Sequence, residues 1–508
     1  MMRHAFASVL LLLATIAPLA AQAPSYRVRL FWKSVPEAIE IAPSLPFVSA
    51  RAPHLRIGNE TTAWLRGPLL VKARGPSLAL GTRYPSRAGK LEAEGELRLR
   101  VPGRPWGTLR GSLRIWSQDG ELELEATLPR EEYVKAVLAG EAGGIREPEA
   151  LRAIAVAIRG YAFADAGRHE AEGFHFCDTT HCQDLRLVER SAALDRAVDD
   201  TADELLWHNG EPVPAYHHAD SGGHTESAQA VWGDNAPAWI EGRADPYSAS
   251  PASLTWSARL AKSEIARALR AEGISVQGEP QVAVRSRTGS GRAARVQVGS
   301  REMPASDFRF AIGRQLGWQL LKSDLYETHD QGAFVRFDGR GNGHGVGLSQ
   351  RGAAEMARQG ADYRRILAFY FPGTRVGVSA QGAEWRMLRT ERLRFLFAPG
   401  SEDPSFVSMV SGELARLEAE TQYRSRHEWT FRVYPSLDLF RNASGLGGDV
   451  AAAARGREIH LQPLATLRGQ GNLRATVRHE LAHALILDEA QRPLPEWLHE
   501  AMARWLSE

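Results

Sequence analysis

ELELEATLPREEYVKAVLAGE, residues 121–141, changes its hydrophobic period part-way along. Up to Leu128 apolar and polar residues alternate, which puts Leu122 and Leu124 on one face of an extended strand. Beyond Pro129 the apolar positions become Val134, Val137 and Leu138, the spacing of one face of a helix. The alternation also runs backward through Leu113 and Ile115, through Leu97, Leu99 and Val101, and again from Tyr26 to Phe31. Asp119-Gly120 between two of these runs predicts a tight hairpin turn. Forward of residue 141, Gly143 and Gly144 stop the first helix and Pro148-Glu149 opens a second, which carries Leu151, Ile154, Ala155, Ile158 and Ala162 inward. The expected fold class is therefore α+β: antiparallel strands leading into a helical hairpin.

Outside this stretch, a mixture of short strands and helices is expected over 250–337, then a Gly-rich run over 339–347 and a helix over 349–358. A polar stretch near 379–384 reads as a linker, and a new strand and helix pattern starts at Leu393. At 508 residues the chain exceeds a single ordinary core, so two or three units are expected. Charged residues make up 24% and the net charge is only +2, which gives no electrostatic footprint for nucleic acid. Residues 1–23 place Arg3 and His4 before an apolar run ending in small residues, the pattern of a secretory signal peptide. The protein is thus expected to be exported, and periplasmic, wall-associated or extracellular. A membrane enters only if that segment is retained as an anchor.

Four side chains or groups of side chains carry chemistry. Glu141 follows Val137 by four residues, so it projects from the helix's apolar face, and it sits at the negative end of the helix dipole. Both effects favour the neutral acid, the form in which a general acid works. Cys177, His181 and Cys182, with His169 and His175 upstream, supply enough ligands for a four-coordinate structural zinc, and a Cys177–Cys182 disulfide is the alternative. His169 is preferred over His175 as the fourth ligand. The glycine-rich blocks around Ser221 and over 339–347 fit neither a phosphate loop nor a dinucleotide fingerprint, and no Gly-x-Ser-x-Gly elbow surrounds Ser221. Finally, His479-Glu480-Leu481-Ala482-His483 sets two imidazoles one helical turn apart beside a glutamate, the arrangement that binds zinc and activates its water.

Residues 132–141 with 149–162, Phe174 to Gln183, His217 to Glu226 and Gly343 to Gln350 together resemble the stage II sporulation protein D family of peptidoglycan lytic transglycosylases. The resemblance covers 24–380 and implies the fold of that family, with Glu141 as the catalytic acid/base. It further implies that Arg159, His218, Ser221, Thr225, His344 and Gln350 bind substrate, and that the cluster of His169, Cys177, His181 and Cys182 holds zinc. The implied reaction cleaves MurNAc-GlcNAc linkages of denuded glycan strands to 1,6-anhydro-muramyl products. A cell-wall amidase is an implied partner, because some relatives enhance one without cutting glycan.

The region 385–508 resembles the peptidase-MA-like gluzincins, an α+β zincin-like domain. Pro495-Glu496-Trp497-Leu498-His499-Glu500 matches that group's second helix, so the resemblance makes His479, His483 and Glu500 zinc ligands and Glu480 the general base. The later helices of that group find no counterpart before Glu508, so a shortened version is expected. Either a second, peptidase activity follows, or the peptidase is the main activity and the larger part directs it to the wall.

Overall fold

The computed structural model describes residues 25–44, 54–57, 60–65, 67–81, 89–142, 144–189, 191–209, 211–249, 254–378, 385–398, 401–444, 450–455, 457–489 and 496–507. The expected signal peptide over 1–23, the linker over 379–384 and Gly143 lie outside them. Long antiparallel strands, Lys90–Arg100, Gly107–Gln118 and Glu121–Pro129, form the centre of a ten-stranded sheet. Leu97, Leu99, Leu113, Ile115, Leu122 and Leu124 are all buried, as their alternation requires. Asp119 and Gly120 both take positive φ, 53° and 86°, the geometry of a type I′ hairpin turn.

The strand Glu121–Pro129 runs directly into helix α1, Arg130–Glu141, and α2, Pro148–Ala164, returns against it. Pro148 occupies the first turn of α2, where its missing N–H costs nothing. Val134, Val137, Leu138, Leu151, Ile154, Ala155, Ile158 and Ala162 join the sheet's inner face in one core. A two-residue strand, Phe176–Cys177, adds in parallel to the edge strand Ser25–Leu30, which carries the Cys/His loop to the hairpin's side of the sheet.

Two features exceed what the sequence pattern indicated. Residues between Trp256 and Phe337 build a core of their own from two three-stranded sheets and the helices Lys262–Ala271 and Ala305–Leu316. The C-terminal region is a five-stranded mixed sheet whose central strands, Leu393–Phe397, Trp429–Val433 and Glu458–Leu461, are parallel, with helices packed on it. The α+β expectation holds for the described residues.

This second unit is joined to the first by an apolar cluster of Leu205, Trp207, Tyr434, Leu439 and Phe440. Beside it, Arg432 pairs with Asp203, which also pairs with Arg130 at the start of α1. Among the described residues no helix is long and apolar enough to cross a membrane.

Within the hairpin, Arg159 is fully buried and forks onto Glu131, with Nη2 2.6 Å from Oε2. Its remaining N–H groups donate to the carbonyl oxygens of Glu204 and Val198. Burial alone would raise the Glu131 carboxyl, but Arg159 and Arg130 outweigh it and hold the group down to about 2. A depressed carboxylate stabilises the fold above its unfolded value of about 4.3, and this contribution fades as pH falls towards the folded value. Wild-type protein should therefore be more stable than Glu131→Gln at pH 7, with the difference in urea midpoint closing between about pH 4.5 and pH 2. A difference that does not vary with pH would contradict the assignment.

Candidate functional site

Glu141 is the last residue of α1, and its side chain is 19% exposed. The chain segment after Cys182 passes so close to this helix end that a Cβ on Gly140 would lie 1.9 Å from the Asp184 carbonyl oxygen. Only glycine allows that approach. As a result the Asp184 backbone N–H donates to Glu141 Oε1 at 2.9 Å. The Asp184 carboxylate itself turns to Arg186, at 3.0 Å.

From the opposite side, strand His217–His218 pairs in parallel with Leu348–Ser349. Ser349 then caps the helix Gln350–Arg358, its hydroxyl accepting from Gly352 N–H at 3.2 Å. This register brings the Gln350 amide to 3.2 Å from Glu141 Oε2 and His217 Nε2 to 3.8 Å from the same oxygen. The surroundings are thus more polar than the apolar pocket expected from helix position alone. An amide N–H, a carboxamide and an imidazole face the carboxyl.

Several residues that the resemblance implies for substrate make contacts within the fold. Arg159 is fully buried and locked inside the hairpin by Glu131. His218 is 4% exposed and its Nδ1–H donates to Val346 O at 3.1 Å, while burial pushes the ring well below its usual titration range and keeps it neutral. Ser221 donates to Asp245 Oδ2 at 2.7 Å, and the Thr225 hydroxyl accepts from Arg243 N–H at 3.0 Å. His344 accepts from Val346 N–H at 3.0 Å and bonds the His217 backbone; burial pushes it down to about 3. These groups shape the loops that aim Gln350 and His217. Of the six, Gln350 reaches the carboxyl directly.

Sequence reasoning missed His217, because a strand alternates its side chains and the neighbour, not His218, faces Glu141. It also missed Trp232, which is 44% exposed and leans on Tyr216 and His344 with ring centroids 4.6 Å and 5.2 Å away.

The Cys/His cluster lies on the other side of the same loop. Ligand atoms of His169, Cys177, His181 and Cys182 all fall within 4.8 Å of one another. The two sulfurs are 3.4 Å apart, longer than the disulfide bond length of about 2.05 Å, so both cysteines are free thiols here. His169 Nε2 is buried without a hydrogen-bond partner, as an unmet ligand atom would be. His175 instead accepts from Arg27 N–H at 3.0 Å and stands apart from the cluster. The donor set of two sulfurs and two imidazoles fits a tetrahedral structural metal. Tyr133 of α1 donates to Gln183 at 3.0 Å, so the loop carrying this cluster is tied to the Glu141 helix twice.

In the second unit, His479 and His483 sit on the helix Leu473–Glu489 with Nε2 atoms 3.1 Å apart. Glu500, on Glu496–Ser507, reaches His483 Nε2 at 3.3 Å and His479 Nε2 at 3.7 Å. His499 contacts His483 at 3.3 Å, a neighbour the sequence did not single out. Glu480 is 6% exposed with Oε2 unpartnered, and burial raises its carboxyl to about 7 against the hydrogen bond from Ala454. The three converging donors fit a divalent metal held by two imidazoles and a carboxylate.

A family model for stage II sporulation protein matches residues 118–208, which span the strand, both hairpin helices and the Cys/His loop. An uncharacterized protein of Brachyspira hyodysenteriae is 30% identical over 265 residues, 52% of this chain and 70% of that protein. The chain belongs to the stage II sporulation protein D family. Stage II sporulation protein D of Bacillus subtilis is 26% identical over 268 residues, covering 49% of this chain and 74% of its own length. The amidase enhancer of Bacillus subtilis is 26% identical over 291 residues, 47% of this chain and 40% of that protein.

The family's hairpin end depends here on glycine. Gly140→Ala should cost about 1–3 kcal/mol, because the added methyl meets backbone rather than a yielding side chain. Urea denaturation measures this, and a neutral outcome would mean that the segment after Cys182 does not lie against α1.

Proposed function

We propose that this chain acts on the cell wall as a lytic transglycosylase, cutting the glycan strands of peptidoglycan with Glu141 as its single acid/base. The observation that carries the reading is one partly exposed carboxyl on a helix end, met by an amide N–H, a carboxamide and an imidazole. A hydrolase would pair two carboxyl groups across the linkage. Here a single one serves if the sugar's own 6-hydroxyl replaces water. Glu141 gives its proton to the glycosidic oxygen as the bond from the anomeric carbon breaks. The 6-hydroxyl oxygen then bonds that carbon, and its proton returns to the carboxylate. The product is a 1,6-anhydro-muramyl end, and no water is consumed.

The His169, Cys177, His181 and Cys182 set would hold a zinc that fixes the loop bearing Asp184. Bound there, it would act structurally, since four protein ligands fill its coordination. The relatives named for stage II sporulation and for amidase enhancement support a wall-related role. Enhancement of an amidase without glycan cutting is the alternative within it.

Incubating denuded glycan strands with the full chain should release anhydro-muramyl ends detectable by mass spectrometry, and Glu141→Gln should lower the rate by at least about a hundredfold. Product formation that survives in Glu141→Gln would refute the role of Glu141.

A second reading concerns the C-terminal unit, which we propose to be a zinc metallopeptidase segment. Its support is the convergence of His479, His483 and Glu500, with Glu480 beside them. A zinc held there would polarise a peptide carbonyl and activate water. Glu480, buried and titrating near neutrality, suits a proton acceptor for that water. Metal analysis should give two zinc per chain in wild-type protein and one in His483→Ala. Glu480→Ala should keep both metals while losing peptide cleavage and leaving glycan turnover unchanged.

A further inference from the structure

A glycan strand cut at Glu141, the reaction proposed above on which this inference rests, must be held on either side of the scissile linkage. A sugar ring offers two surfaces for this. Its edge carries hydroxyls, which call for polar side chains that donate and accept. Its flat faces present C–H bonds, which are drawn to the electron-rich face of an aromatic ring. A lone exposed aromatic side chain among short polar ones, close to the carboxyl, is the matching surface.

Trp232 has these properties. It ends the short helix Ala228–Trp232, and Gly233, at φ 82°, turns the chain away at once. The Ser227 hydroxyl caps that helix by accepting from Ala230 N–H at 3.1 Å, and Ala228 N–H donates to the Ile240 carbonyl at 3.0 Å, so the indole has a fixed mount. Its neighbours Val231, Ala236 and Trp239 pack onto the buried cluster of Ala228, Ile240 and Val346, whereas Trp232 stays 44% exposed. The rings against it, Tyr216 and His344, are tilted by 49° and 52°, so neither lies flat over an indole face. Between Val188 and Phe310 it is the one exposed large apolar side chain among the described residues. Gln229, three residues earlier on the helix, Asp234 and Asn235 are exposed beside it. One aromatic ring among polar side chains matches a single sugar, where a protein partner would need a far larger apolar patch. The position also fits. His344 contacts the indole with ring centroids 5.2 Å apart and bonds the His217 backbone, and His217 Nε2 is 3.8 Å from Glu141 Oε2.

We propose that Trp232 is a glycan-binding residue, the platform on which a sugar ring flanking the scissile linkage stacks, with Gln229, Asp234 and Asn235 meeting that sugar's hydroxyls. The stacked ring is not the one that reacts, so the contact is the same before and during bond breaking. Trp232 therefore acts on how tightly the strand is held and not on how fast the linkage breaks.

The test is calorimetric titration of the full chain with denuded glycan strands, in a Glu141→Gln background so that the strands stay intact. There Trp232→Ala should bind about tenfold more weakly, the loss of one aromatic contact and the area it covers. Trp232→Phe keeps an aromatic face and should recover most of that affinity. With Glu141 in place, Trp232→Ala should raise KM about tenfold and leave kcat within about threefold. The urea midpoint should not move, because the indole is exposed and lies outside the neighbouring buried cluster. A loss of affinity below about fivefold, a Trp232→Phe variant as weak as Trp232→Ala, a loss carried by kcat, or a lowered urea midpoint would each overturn the proposal. If the wild-type chain releases no anhydro ends, the glycan-cutting reading fails by itself and the titration still decides. Weaker binding in Trp232→Ala then upholds the platform, and a parent protein that binds no strand overturns it.

Discussion

A buried guanidinium organises the molecule. Arg159 carries its charge into the core of the helical hairpin, where leaving it unpaired would cost several kcal/mol. Glu131 and the carbonyls of Val198 and Glu204 meet it there. That set of bonds fixes α2 against the start of α1 and both against residues 198–204. Asp203 in that segment is shared between Arg130 and Arg432, so the same charge network extends to the C-terminal unit. Arg159 thus holds the frame that carries Glu141.

With the start of α1 fixed in this way, its other end is positioned by close approach. Gly140 admits the Asp184 backbone, and the parallel pairing of 217–218 with 348–349 delivers His217 and Gln350 from segments far away in the chain. Three chain segments therefore converge on one carboxyl. The Cys/His cluster sits just before Asp184, so whatever ties those four side chains together also fixes the Asp184 N–H against Glu141. The Cys/His cluster, the Asp184 N–H and Glu141 are in this sense one mechanical unit.

The C-terminal unit repeats the logic on a smaller scale. Two imidazoles one turn apart on a helix need a third donor from elsewhere, and the following helix brings Glu500 to both. Glu480, on the helix Leu473–Glu489 that carries the two imidazoles, is buried and accepts from Ala454 N–H of the edge strand Ala452–Arg455. Its raised carboxyl follows first from loss of water, with the Glu500 charge adding to it and the Ala454 hydrogen bond opposing it.

The amino-acid sequence determined the local architecture, because periodicity and turn chemistry act between residues close along the chain. The switch from alternation to helical spacing at Pro129, the hairpin at Asp119-Gly120, the opening of α2 at Pro148 and the pairing of His479 with His483 are all of this kind. It also pointed to Glu141, since position on a helix face and at a helix end are local properties. Tertiary structure alone decided which distant groups face that carboxyl. Nothing in the spacing of His217 and His218 says which of them turns inward; the register against 348–349 does, and a slip of one residue would exchange them. The same holds for Arg159, whose burial depends on Glu131 and on two carbonyls about forty residues downstream. It holds too for the separate core between Trp256 and Phe337, which only packing defines.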